Sequence, residues 1–77
     1  MTPYRVIVEW DQDARVWVTA SEDVPGLATG ADTFEELIEE LKIVIPELLV
    51  ENGVLPAGTV SVPFAIKAER SEFAPVA

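Results

Sequence analysis

The sequence predicts an α+β domain of order β-β-β-α-β, with one helix packed on one face of a four-stranded mixed sheet of order 3-2-1-4. Three observations predict it. Two stretches near the N-terminus alternate with period two, a middle stretch repeats at spacings of three and four behind a helix-start motif, and a later stretch alternates again. A chain of 77 residues holds one domain, residues 1–77, with a core over about 4–68 and a loose tail at 69–77.

The first strand is 4–10, where Tyr4, Val6, Val8 and Trp10 share one side and Arg5, Ile7 and Glu9 the other. The second is 16–20, with Val16, Val18 and Ala20 opposed to Trp17 and Thr19. Pairing Trp10 with Val16, Val8 with Val18 and Val6 with Ala20 collects the core candidates on one face and leaves a five-residue loop at Asp11 to Arg15. That register places Arg5, Ile7, Glu9, Trp17 and Thr19 together on the second face.

Pro25-Gly26 suits a turn that needs positive φ at its third position, and a short third strand is expected at 27–30. Thr33 followed by Glu36 is a capping box. Behind it Phe34, Leu37, Ile38, Leu41, Val44, Ile45, Leu48 and Leu49 trace one helical stripe, and Asn52-Gly53 supplies the stop. Pro46 predicts a kink, flanked by Ile43 and Val50, which widen the apolar face. The last strand is expected at 59–68, with Val60, Val62, Phe64 and Ile66 inward and Pro63 placing it at the sheet edge. A right-handed crossover brings it parallel to the first strand and leaves one sheet face bare.

Composition excludes several chemistries. No Cys and no His means no disulfide, no thiolate nucleophile, no zincin site and no His-based triad. Gly26, Gly30, Gly53 and Gly58 open no phosphate-binding loop. With 5 basic against 14 acidic residues and a net charge of −9, neither direct nucleic-acid binding nor attachment to an anionic membrane is expected. No segment reads as a signal or a membrane span, so the expected location is the cytoplasm. Asp11 and Asp13 sit in a loop whose geometry Asp itself serves, and Ser21 to Asp23 has no base nearby in sequence. No catalytic residue, metal site or cofactor is assigned.

A hairpin, then Asp23-Val24-Pro25-Gly26-Leu27, then Thr29-Gly30-Ala31-Asp32-Thr33-Phe34-Glu35-Glu36-Leu37, resembles the N-terminal domain of HicB-type antitoxins. Val8-Glu9-Trp10-Asp11 and Ile45-Pro46-Glu47-Leu48-Leu49 resemble short stand-alone bacterial relatives of that family, of unknown function, with Ile45 where those carry Val. The likeness covers roughly residues 4–53, and more loosely the last strand. It implies a HicB-like fold and a role in occluding a small, basic RNase toxin. The DNA-binding segment that many such antitoxins carry has no counterpart after Ala68.

The apolar content is 49% with a mean hydropathy of +0.27, more than so small an interior hides, which predicts association. The expected partner or subunit contacts are Ile7, Trp17, Thr19, Pro63 and Ala65 on the bare sheet face, and Ile43 and Val50 on the helix flank. Glu35, Glu36, Glu39 and Glu40 form an acidic face suited to a basic partner. The expected function is a non-enzymatic, HicB-like binding module that forms a homo-oligomer, dimer or higher, and sequesters a small basic toxin-like protein. A structural oligomerisation domain and a carboxylate-dependent metal nuclease are the alternatives.

Overall fold

The computed structural model describes residues 2–77. Strands β1 (Tyr4–Asp11), β2 (Val16–Ala20) and β3 (Gly30–Ala31) precede helix α1 (Phe34–Glu51), and β4 (Phe64–Glu69) follows. The sheet order is β3-β2-β1-β4, with β4 parallel to β1 and the other pairs antiparallel. This is the expected architecture.

Helix α1 begins where the Thr33 hydroxyl accepts from the Glu36 amide at 3.1 Å. It passes through Pro46 without ending. Its stop is a Schellman pattern: Gly53 donates to the Val50 carbonyl and Val54 to that of Leu49, with Gly53 at φ 68°. Leu37, Leu41, Ile45 and Leu49, four residues apart, are fully buried against Val6 and Val8 of β1 and Val24 and Leu27 of the connecting loop. That loop turns at Gly26, φ 85°, where Leu27 donates to the Val24 carbonyl. The Asn52 amide donates to the Pro25 carbonyl at 3.2 Å and ties the helix end to the same turn.

The hairpin register differs from the expected one by a single residue. Trp10 faces Trp17, Val8 faces Thr19, Glu9 faces Val18 and Asp11 faces Val16. The cause is turn chemistry. Asp11 Oδ1 accepts from the amides of Asp13 and Ala14, its carbonyl accepts from the Arg15 amide at 2.7 Å, and Arg15 takes φ 58°. This closes a loop of residues 12–15, one shorter than the sorting of apolar faces implies. The whole of β2 therefore turns over. Trp17 and Thr19 lie with Val8 and Trp10 toward the helix, and Val16, Val18 and Ala20 lie with Ile7 on the outer face.

Two further boundaries move. The third strand is Gly30–Ala31 rather than 27–30, because Leu27 turns into the core. The fourth begins at Phe64, not 59, and Val60 is 98% exposed instead of inward. Phe64 and Ile66 do pack on the core.

The molecule is long for its size. Its Cα radius of gyration is 14.6 Å and its extents are 59 × 21 × 19 Å, against about 11–12 Å for the radius of a compact domain of this length. Helix α1 spans only about 27 Å. The segment after β4, residues 70–77, lies outside regular structure and is exposed throughout.

Candidate partner-binding surfaces

The sheet-face contact expected around Ile7, Trp17 and Thr19 divides in two. Ile7 is half exposed on the outer face, beside Ala20 of β2 and Lys67 of β4. Ala65 shares that face and is exposed, and Pro63, also exposed, precedes β4. Trp17 is on the opposite side. Its ring meets Trp10 edge-on at 5.3 Å and Phe34 at 5.4 Å, so it is a half-buried core aromatic. The Thr19 hydroxyl donates to the Thr29 carbonyl at 3.1 Å and accepts from the Thr29 amide at 3.2 Å. It pins the connecting loop to β2. Neither residue belongs to an outer-face interface, and the apolar outer face consists instead of Ile7, Val16, Val18, Ala20 and Ala65.

On α1 the structure brings the acidic residues together. Glu35, Glu36, Glu39 and Glu40 are all exposed and, with Lys42 and Ile43, line one shallow concavity. Lys42 pairs with Glu39 at 3.0 Å. Ile43 is 62% exposed at the end of this row, and Val50, 66% exposed, lies about two turns further on.

Ser21 and Asp23 have a structural task. The β1–β2 backbone pairing stops at Ile7 opposite Ala20. Beyond it, the Ser21 hydroxyl donates to the Arg5 carbonyl at 2.5 Å and the Asp23 carboxylate accepts from the Arg5 amide at 2.8 Å, so two side chains continue the ladder. Asp23 also meets the Arg5 guanidinium at 3.2 Å. The amide bond first, then the guanidinium, hold its carboxyl below the ordinary value of 3.8. Asp11 is committed to the hairpin turn. Among the described residues no three carboxylates converge on a common point where a metal ion could sit.

The segment after β4 carries features not singled out from the sequence. The Arg70 guanidinium stacks over Trp10 at 4.0 Å and pairs with Glu72 at 2.6 Å. Phe73 is fully exposed and Val76 98% exposed. The available signal is the apolar run from Phe73 to Ala77, and nothing in its length separates it from an ordinary tail.

A family model described as a domain of unknown function, DUF1902, matches residues 3–76. Among solved structures, the chain is similar to a hypothetical protein from the extremely thermophilic bacterium Thermus thermophilus, with 41% sequence identity, a TM-score of 0.71, and 97% of this chain and 100% of that one covered. No protein of curated function matches. Among the described residues no helix is long and apolar enough to cross a membrane.

Proposed function

The chain belongs to the DUF1902 family of domains of unknown function, and from that premise we propose that it is a non-enzymatic binding module that sequesters a small basic protein. One observation carries the reading. Four glutamates on the solvent side of α1 surround a concavity that ends on the exposed Ile43. A row of carboxylates speeds encounter with a basic surface, and an apolar side chain at its end gives the contact a desolvated anchor. The resemblance of the Asp23-Val24-Pro25-Gly26-Leu27 turn and the Thr33 helix start to HicB-type antitoxins supports the same reading and supplies the partner's chemistry, a small basic RNase.

The test is a binding titration with the purified product of a short basic reading frame neighbouring the gene, together with that product's RNase activity. Binding with loss of RNase activity, both weakened by Glu39→Lys, Glu40→Lys and Ile43→Asp, is the expected result. An active RNase in the presence of excess protein sinks the reading, and so does binding that ignores all three changes.

A further inference from the structure

We propose that two copies of this chain associate through the free edge of β4, in antiparallel pairing about a two-fold axis at Ala68, with the 70–77 arm of each laid along the 60–66 segment of the other. The inference is independent of the basic partner.

The sheet order leaves β4 at an edge with β1 on one side only. The Tyr4 amide donates to the Pro63 carbonyl at 3.0 Å. In an extended strand, successive residues turn their N–H and C=O to opposite sides. Pro63, Ala65, Lys67 and Glu69 therefore face β1, and Phe64, Ile66 and Ala68 present their amides and carbonyls to the open side. The missing N–H of Pro63 falls on the β1 side and does not interrupt the open edge. β4 contains no proline, and such a row of unpaired groups is a template for another strand.

Charge then selects the register. Edge-facing residues can bond only to edge-facing residues, so Lys67 of one copy can oppose only odd-numbered positions of the other. Opposite Lys67 it meets a like charge. Opposite Glu69 it meets an ion partner, and the two-fold axis makes that pair twice. That register centres on Ala68, whose small side chain lets two copies meet on the axis.

The same register places the exposed apolar residues of the arm. Phe73 falls opposite Pro63, on the side where Ala65 and Ile7 lie, and Val76 falls opposite Val60. Phe73, Val76 and Val60 are fully or almost fully exposed in the single chain. The pairing covers all three and draws the 59–63 segment, which alternates like a strand yet lies outside the sheet, into a ladder.

The experiment is light scattering on the full chain across a concentration series, with single-cysteine variants of a protein that has no cysteine of its own. The expected mass is two chains. Ala68→Cys should give a disulfide-linked dimer on mild oxidation and Ala65→Cys should not. Lys67→Glu should weaken the dimer about tenfold, and Lys67→Glu with Glu69→Lys should restore it. A chain that is monomeric at every concentration overturns the proposal, as does a dimer indifferent to Lys67→Glu. If Lys67→Glu fails to fold, the two cysteine variants decide: cross-linking at position 65 rather than 68 overturns it.

Discussion

The Arg5 backbone amide donates to the Asp23 carboxylate at 2.8 Å, and the Arg5 guanidinium closes on the same oxygen at 3.2 Å. The sheet ladder between β1 and β2, running back from the hairpin, stops at Ile7, two residues short of Arg5. Asp23 thus does for Arg5 what a strand amide-to-carbonyl bond does elsewhere, while the Ser21 hydroxyl serves the Arg5 carbonyl. The chain leaves the sheet at Ser21 without orphaning the backbone of β1, and it enters the Pro25-Gly26 turn already anchored.

Stability should therefore depend on the ionisation of Asp23. Its folded pKa lies below the ordinary 3.8. The sign follows: the contribution is fully present above the unfolded value and is lost as pH falls below 3.8 and through the folded one. Asp23→Asn keeps an acceptor for the amide but removes the charge. In urea unfolding it should be less stable than the parent at pH 7, and the gap should close in the acid range below 3.8. A gap that persists unchanged there assigns the loss to packing instead.

Trp17 and Ile7 should respond in opposite ways. Trp17 is wedged between Trp10 and Phe34 at 5.3 and 5.4 Å, so Trp17→Ala should cost about 2–4 kcal/mol, somewhat less than for a fully buried aromatic. Ile7 is half exposed, and Ile7→Thr should stay within about 0.5 kcal/mol. Denaturant midpoints at equal slope measure both. Equal losses would return Trp17 to the outer face.

These two residues also show how far the sequence is legible. Element order, strand order and the helix stripe are readable, because period and capping chemistry are local properties of Phe34 to Asn52 and of the alternating strands. The face of Trp17 is not. Val16-Trp17-Val18-Thr19-Ala20 offers an apolar residue on both sides, so burial alone does not choose a register. The choice falls to Asp11 and Arg15 in the turn, and a one-residue difference in loop length inverts the strand. The candidate surface shifts with it: Ile7 and Ala65 stay outside, Trp17 and Thr19 go in, and Val16 and Val18 come out. The acidic row is readable because it lies on one helix, where spacing alone sets the face.

Thr19→Val tests the inward placement of β2 by a different route. The substitution keeps the shape and removes a hydroxyl that both donates to and accepts from Thr29. Losing the bond to a part-buried Thr29 amide should cost about 1–3 kcal/mol. Hydrogen exchange should show faster exchange at Thr29 and in the Val24–Leu27 turn, with the helix amides unchanged. A neutral result would place the hydroxyl in water.

Thr33→Ala removes the oxygen that accepts from the Glu36 amide. The expected cost is about 1 kcal/mol. Thr33→Asp should recover most of it, since it restores an acceptor and puts a negative charge at the positive end of the helix dipole. Thermal unfolding of the three proteins side by side gives the order parent, Asp, Ala. If Thr33→Ala matches the parent, the cap is idle and the early glutamates carry the helix start alone.

The acidic row makes a kinetic prediction about any basic partner. Glu35, Glu36, Glu39 and Glu40 are exposed, and of these Glu39 is paired, with Lys42 at 3.0 Å. Exposed charges act over roughly 8–10 Å at physiological salt and over longer distances at low salt. Association should therefore slow as salt rises, while dissociation changes little, because rim charges guide encounter and the apolar contact at Ile43 holds the complex. Glu36→Gln with Glu40→Gln should flatten the salt dependence of the on-rate and leave the off-rate nearly unmoved. Ile43→Ala should do the reverse, raising the off-rate about tenfold for a truncated anchor with the salt slope intact. Stopped-flow binding at several salt concentrations separates the two effects, and a parent on-rate insensitive to salt would remove the glutamate row from the docking surface.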